Sequence, residues 1–337
     1  VTRSRWIVVG AGRRVRADVL PVLAALRDEV ELAGPYSRRA HPVEAVGRTY
    51  ETAPLSSLGA ADVAAADVVC VCVAKPAVPA VLRHLEACEP AAATLLVDTP
   101  VVLFRHLAAF SRFSAFGSVS VPEDCSTLPW IPLARRALGT ITSVRFERSA
   151  YRYHAFALAK ALLGARDVVR ARRRRLGADT ELTIELEGGG TAVVVEPRDY
   201  ARGRLVLTGT RGTLCDAPGR ADLKLVLAGD DRGAVLRAGE HERRLDATES
   251  ALLGPLAPGD TVTSRMEDLK RVGLLALARE VLAGRPAYPL LDALEDASVD
   301  ALCDKLGRYR RNPVISVKSR LGRAMLGTVL RAAGGRG

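Results

Sequence analysis

Short apolar runs and helical stripes alternate through the first third of the chain. Arg5-Trp6-Ile7-Val8-Val9 is a strand-like run that stops at Gly10-Ala11-Gly12, after which Val15, Val19, Leu20, Leu23 and Leu26 recur at helical spacing. The pattern predicts strand, glycine turn, helix. A second strand is predicted at about Val30 to Tyr36, a helix near Val43 to Tyr50, and a third strand-helix unit in the alanine-rich stretch that follows. Asp67 to Val73 is apolar without alternation, as a strand covered on both faces would be. A helix over Val78 to Cys88 and a strand over Ala93 to Val97, ending at Asp98-Thr99-Pro100, complete a βαβ series. Such a series predicts a doubly wound parallel sheet of Rossmann type.

The texture changes after about Pro122. A helix near Trp130 to Leu138 leads to a strand at Ile141 to Arg148 and a helix from about His154 to Leu163 that stops at Gly164. Strand-like runs follow at Glu181 to Glu187, Thr191 to Glu196, Arg204 to Thr208, Leu223 to Leu227 and Ala234 to Ala238. Gly188-Gly189-Gly190 and Asp230-Asp231-Arg232-Gly233 separate members of this series as turns would, which predicts an antiparallel meander. Helices return at Met266 to Leu282 and Leu290 to Leu306. The expected architecture is an α/β chain: a Rossmann domain at 1–122, an α/β domain with an open, mainly antiparallel sheet at 123–307, and a basic tail at 308–337.

The length of 337 residues suits two domains of about 100 to 200 residues each. At 48% hydrophobic and 26% charged, the composition is that of a folded globular chain. No apolar run approaches the roughly 18 residues of a membrane span, and Val1 to Trp6 leads straight into a strand, so a cytoplasmic setting is expected. The six cysteines have neither CxxC spacing nor a histidine at zinc spacing, so free thiols and no metal are expected. Of 49 basic residues only six are lysine, leaving 43 arginines, so much of the net charge of +11 reflects general arginine usage. Eight of those eleven charges fall from Arg308 onward, where there is no acid.

Gly10-Ala11-Gly12-Arg13-Arg14-Val15 lies where a dinucleotide fingerprint belongs. The first glycine permits the turn, the second lets backbone approach a pyrophosphate, and the helix start adds amide donors; Val15 stands at the usual third glycine. At the end of the second strand Tyr36-Ser37-Arg38-Arg39 offers no carboxylate for the ribose hydroxyls and two guanidiniums suited to a 2′-phosphate, which favours NADP(H) over NAD(H).

The order of motifs resembles the Gfo/Idh/MocA oxidoreductases (glucose-fructose oxidoreductase, inositol dehydrogenase and relatives) over about residues 5 to 306. Besides the glycine motif, Val71-Cys72-Val73-Ala74-Lys75-Pro76 looks like the family's strand ending in A-T-P, and Leu96-Val97-Asp98-Thr99-Pro100 stands in place of its E-K-P. Ala137 to Val144 is similar to the entry into the second domain, His154 to Gly164 to the catalytic-histidine helix, and Leu207 to Leu214 to a G-T-x-G hairpin, while Arg265 to Lys270 precedes the final helices. The resemblance implies a nicotinamide cofactor contacted by Ala74, Pro76, Asp98, Thr99 and Pro100 as well as by the glycine motif and Ser37, Arg38 and Arg39. It also implies hydride transfer to a C=O or C=N group of a small polar metabolite: a sugar, a cyclitol or an imine. Thr99 replaces the family's lysine and Ala150 its aspartate, so of those three catalytic groups only His154 remains. The candidate proton donors are His154, Lys75 and Tyr151, with Tyr153 beside them.

Arg170 and Arg172 to Arg175 read as a solvated strand or sheet edge rather than a nucleic-acid surface, since no aromatics interleave. His41, His84, His106 and His241 are expected at the surface, and Cys70 and Cys72 packed in a buried strand. Val317, Leu321, Ala324, Met325 and Leu330 predict an amphipathic helix in the tail that docks on its own body or a second subunit rather than a membrane. A homo-oligomer through the second domain's sheet is expected. The alternative reading is a cofactor-binding but catalytically silent regulatory or scaffold protein, motivated by Thr99 and Ala150.

Overall fold

The computed structural model describes residues 2–101, 103–165, 167–217, 221–313 and 316–319. These fall into two compact units: one runs to Glu123 and includes Leu277–Glu295 and the described residues from Pro313 onward, and the other is Asp124–Ala276 with Asp296–Asn312.

The first unit is built on a seven-stranded sheet, in the order Tyr288–Pro289, Ser118–Val121, Thr94–Val97, Val68–Val71, Ser4–Val9, Val30–Ser37, Ala53–Pro54. All neighbours run parallel except Tyr288–Pro289, so the expected doubly wound sheet is present. Its central strands bury consecutive residues, such as Ile7, Val8 and Val9 or Val69, Cys70 and Val71, because both faces are covered. The strand order reverses at Ser4–Val9, which has Val30–Ser37 on one side and Val68–Val71 on the other. A crevice opens at the carboxyl ends of strands on either side of such a reversal.

The helix expected near Val43 to Tyr50 is instead a hairpin, Pro42–Ala45 against Arg48–Glu51. Val43 and Ala45 are buried while Pro42 and Glu44 are exposed, a period of two. Val46 and Gly47 both take positive φ, 48° and 66°, as a tight turn between twisted strands requires. The first helix opens as a wide π turn, Val15–Val19, where the Leu20 amide donates to the Val15 carbonyl, before Leu20–Ala25 continues as α-helix. Pro21, which has no amide to donate, stands just after that change.

The second unit carries a ten-stranded sheet, ordered His241–Arg244, Gly233–Ala238, Leu223–Asp230, Gly212–Cys215, Arg204–Gly209, Ile141–Glu147, Thr191–Glu196, Asp179–Leu186, Val168–Leu176, Arg308–Arg310. It is mainly antiparallel, as expected. A simple meander it is not: Thr191–Glu196 pairs parallel to Ile141–Glu147, and Gly212–Cys215 parallel to Leu223–Asp230. The arginine run lies in a strand, but over Arg170 to Arg172 that strand is not an edge. It pairs with Asp179–Leu186 on one side and with Arg308–Arg310 on the other. The pairing segment is only three residues long and far away in sequence, so no local pattern announces it. Helices Ile131–Leu138 and Arg152–Leu163 pack on one face of the sheet, in a core with Trp130, Leu133, Phe146, Phe156, Leu182, Ile184 and Leu207. The half-exposed Arg145, Glu147, Glu181 and Arg204 alternate with those core positions and form linked ion pairs: Arg145 lies 2.9 Å from Glu147 and 3.4 Å from Glu181, and Arg204 also meets Glu147.

A helix absent from the sequence reading, Ala247–Leu253, starts at a reciprocal cap: Asp246 accepts from the Glu249 amide at 2.8 Å and Glu249 accepts from the Asp246 amide at 3.0 Å. Nearby, Asp216 is buried and accepts from the amides of Leu205 at 2.7 Å and Thr263 at 2.9 Å, while its burial pushes its carboxyl pKa up. We expect Asp216→Ala to lower unfolding free energy by about 2–4 kcal/mol in urea titrations, because it strands two buried donors.

Near the chain end Val317 is buried and Lys318 lies 2.7 Å from Asp292. The amphipathic helix expected with Leu321, Ala324, Met325 and Leu330 lies outside the described residues. Among the described residues no helix is long and apolar enough to cross a membrane.

Candidate functional site

The first unit holds a cavity of about 570 Å³ at its strand-order reversal, lined among others by Gly10, Ala11, Gly12, Ser37, Arg38, Cys72 and Ala74. The loops around it are tied to the strands: the Gly10 amide donates to the Tyr36 carbonyl at 2.7 Å and the Cys72 amide to the Val9 carbonyl at 2.8 Å. The two glycines serve different ends. Gly10 has φ +136°, and a Cβ there would lie 2.1 Å from the Cys72 carbonyl oxygen, so the turn admits no side chain. Gly12 is exposed, and a Cβ there would meet nothing within 4 Å. Space of this kind beside a helix start fits the pyrophosphate of a dinucleotide. Val15, at the usual third glycine, is buried with its Cγ2 only 3.3 Å from the missing Gly10 Cβ, so it packs under the turn.

The other expected cofactor residues spread further. Arg13 is exposed. Arg14 lies 3.2 Å from Asp18 and 3.4 Å from Asp98, so its charge is shared between two carboxylates. Arg39 is exposed; its carbonyl accepts from Ser37 Oγ and stands 2.9 Å from His41 Nδ1, which fixes the loop after the second strand. Pro76, Thr99 and Pro100 do not line the cavity, and Asp98 faces Arg14 and Lys75 instead. Leu55, Ser56, Ala77, Ala80, Val81 and His84 do line it, and none was anticipated. His84 is partly buried, with Nε2 2.9 Å from the Leu58 carbonyl, and His106 and His241 are partly buried too, so of the histidines expected at the surface only His41 is exposed. The sulfurs of Cys70, in the strand, and Cys72, just past its end, lie 3.7 Å apart; that contact, with burial, holds the Cys72 thiol well above its ordinary pKa.

Lys75 is engaged. Its Nζ donates to the Asp98 carbonyl at 2.6 Å and lies 3.8 Å from the Asp98 carboxylate. Burial pulls the pKa of Lys75 down, opposed by Asp98. The arrangement suits a strut between the ends of two strands.

The second unit gathers a polar centre around His154. His154 stands in the first turn of helix Arg152–Leu163, with the rings of Tyr151 and Tyr153 centred 6.1 and 5.4 Å from its own. This helix is clamped to helix Leu290–Leu306. Arg152 pairs with Asp300 and Asp304 at one end, and buried Lys160 pairs with Asp296 at the other. Against the histidine lies the turn that starts at Asp124: the ligating atoms of Asp124, Cys125 and His154 lie within 4.8 Å of one another. Lys270, 5% exposed, belongs to the same centre. Burial disfavours its charge, but Cys125, Asp124, Tyr200 and Glu267 more than offset this and push its pKa up. Arg198 closes the group, 5.8 Å over the Tyr151 ring, 4.9 Å over the Tyr200 ring and 3.2 Å from Glu267.

Of the expected donors, His154 and Tyr151 come together here, while Lys75 belongs to the first unit. The sequence reading missed Asp124, Cys125, Tyr200 and Lys270. One signal was present for the last: Lys270 interrupts the apolar stripe of its helix, between Met266 four residues before and Gly273 three after.

No family model and no curated protein matches the chain. Solved structures do. A scyllo-inositol dehydrogenase from Lactobacillus casei with bound NAD(H) and scyllo-inositol is 14% identical, with TM-score 0.57 over 92% of this chain and 99% of its own. An oxidoreductase from Agrobacterium radiobacter, in complex with NAD+, L-tartaric acid and magnesium, is 14% identical with TM-score 0.60, covering 92% and 98%. An aldose-aldose oxidoreductase from Caulobacter crescentus complexed with glycerol is 13% identical with TM-score 0.57, covering 92% and 100%. The chain shares the fold of these dehydrogenases and oxidoreductases.

Proposed function

We propose that this protein is an NADP(H)-dependent oxidoreductase of the Gfo/Idh/MocA family that reduces a C=O or C=N group of a small polar metabolite. The observation that carries the reading is the cavity at the strand-order reversal, with Gly12 facing open space at the first helix start and Ser37 and Arg38 on its wall. Gly10, Ala11 and Gly12 would hold the pyrophosphate, and Ser37 and Arg38, with Arg39 beside them, the 2′-phosphate. A bound nicotinamide supplies the hydride. His154 supplies the proton to the substrate heteroatom, Tyr151 and Tyr153 hold its ring in place, and Lys75 keeps Asp98 in position rather than titrating. A small substrate with several hydroxyl or amino groups suits the exposed Tyr151 and Arg198 beside His154. Self-association through the ten-stranded sheet belongs to the same reading.

The test is an NADPH-oxidation screen over ketones, imines, sugars and cyclitols. The specificity within it is separately measurable: calorimetric titration should find NADPH bound more tightly than NADH, with the ratio falling at least tenfold in Arg38→Ala/Arg39→Ala. Tighter binding of NADH would remove the NADP(H) assignment and leave the reductase. A second reading, a silent cofactor-binding protein, is favoured by Thr99 and Ala150; tight NADPH binding without turnover of any substrate in the panel would support it.

A further inference from the structure

The turn Asp124–Thr127 and the head of helix Arg152–Leu163 bring together side chains that are far apart in sequence. The ligating atoms of Asp124, Cys125 and His154 lie within 4.8 Å of one another, and Glu123, the residue before the turn, adds a fourth to the same set. Asp124 and Cys125 are 1% and 3% exposed, while His154 is half-buried and so within reach of an ion from solvent. Among the described residues no other group of histidine, cysteine and carboxylate side chains gathers in this way. Both supports are fixed. A Cβ at Gly273 would lie 2.4 Å from the Asp124 carbonyl oxygen, and Thr127 Oγ1 donates to the Gly273 carbonyl at 2.9 Å, which pins the turn to helix Met266–Leu282. The histidine's helix is held by Arg152 on Asp300 and Asp304 and by Lys160 on Asp296. The expectation of no metal rested on spacing along the chain, and spacing does not register ligands that only the fold collects.

We propose that Glu123, Asp124, Cys125 and His154 form a site for a thiophilic divalent ion of the zinc(II) class, and that its occupancy withdraws His154 from proton transfer. The second half rests on the proposed role of His154 as proton donor; the first does not. One nitrogen, one sulfur and two carboxylate ligands suit zinc(II), whereas magnesium and calcium take oxygen ligands throughout. Ligands about 2.0 to 2.3 Å from a tetrahedral zinc ion stand about 3.3 to 3.8 Å from each other, so these side chains close around it with shifts of about an ångström. Cys125 binds as thiolate and gives its proton to water. Two carboxylates and one thiolate against the two charges of the ion leave one negative charge, opposite in sign to the buried Lys270 of the same centre. Four protein ligands fill a tetrahedron, as in sites that hold an ion rather than activate a water. A ring nitrogen of His154 that is bound to the ion has no proton to give, so ion binding and proton transfer from it exclude each other.

Cobalt(II) titration of the full-length, chelator-stripped and reduced protein reads the site without any substrate. The wild type should bind one ion per chain with the absorption of a tetrahedral ion and a thiolate-to-cobalt charge-transfer band, and zinc(II) should displace it. Cys125→Ser should lose the charge-transfer band. Asp124→Asn and His154→Asn should each weaken binding at least about 100-fold, beyond the roughly 10- to 100-fold that loss of an outer contact costs. Cys215→Ser, at a buried cysteine outside the set, should keep both the band and the affinity. His154 is half-buried, so its variant reports even if Cys125→Ser fails to fold. No tetrahedral cobalt spectrum in the folded wild type would overturn the site, as would a band that survives Cys125→Ser or an affinity that His154→Asn leaves unchanged, which would mark an adventitious ion only. In those cases the donor role of His154 stands as before. Zinc(II) at the occupancy found with cobalt should abolish NADPH oxidation of a substrate from the screen, and chelation should restore it. Undiminished turnover with the site filled would overturn the inhibitory half, and with it the donor role of His154, while the metal site stands.

Discussion

Gly12→Asp should fold as the wild type does and lose at least 100-fold in affinity for both NADPH and NADH. Folding is preserved because a Cβ at position 12 meets no protein atom within 4 Å. Binding is lost because the new carboxylate enters the space beside the helix start that the pyrophosphate would take, and there it repels the anion and competes for the same amide donors. A 100-fold loss corresponds to about 2.7 kcal/mol, within the reach of one like charge set against a bound anion. Calorimetric titration together with a melting curve checks both halves. Gly10→Ala is the contrasting variant. Its methyl would lie 2.1 Å from the Cys72 carbonyl oxygen, at a backbone φ of +136° that alanine avoids, so it should lower the melting temperature first and binding as a consequence. Normal cofactor affinity in Gly12→Asp would move the binding site elsewhere.

His154→Asn should reduce turnover by roughly 10² to 10⁴ while cofactor affinity stays within about twofold of the wild type. Asparagine keeps a polar group near Tyr151 and Asp124 but cannot cycle a proton near neutral pH, so the loss isolates proton transfer from packing. The cavity that would hold the cofactor is lined by first-unit residues alone, and the His154 centre belongs to the second unit, which is why the two effects should separate. Lys75→Met serves as the comparison. Because Lys75 Nζ donates to the Asp98 carbonyl, its loss should disturb the cofactor site and raise the concentration of NADPH needed, with a smaller effect on the maximal rate. If Lys75→Met reproduces the rate loss and His154→Asn does not, the roles are exchanged.

The parallel sheet was legible because its determinants are local. Uninterrupted apolar runs at Trp6 to Val9 and Val68 to Val71, too short for helices and each followed by a turn, fit strands buried on both faces. The long helices Met266–Leu282 and Leu290–Leu306 emerged with the boundaries their periodicity predicts. Gly10 and Gly12 were readable because backbone conformation and free space constrain residue type at single positions. Local pattern failed where a short element borrowed its stability from elsewhere. The stretch Val43 to Tyr50 carries a spacing compatible with a helix, yet Val46 and Gly47 turn it into a hairpin. The strand Arg308–Arg310, three residues long, exists only because Val168–Leu176 offers it a row of backbone partners.

The site divides along the same line. Sequence by itself determined the glycine turn, the missing acid after Tyr36 and the histidine at the head of its helix, since each is a residue type at a position along one element. Which groups surround that histidine was a tertiary matter. Asp124 and Cys125 come to it on a turn, Lys270 on a helix more than a hundred residues later, and Tyr200 with Arg198 on the loop after Glu196. Arg14 and Lys75, both read as cofactor or catalytic groups from their place after strands, are instead drawn to Asp98. The physical reason is range: φ/ψ preference and hydrophobic period act over a few residues, whereas charges and buried donors settle on whichever partners the packed fold places within a few ångströms.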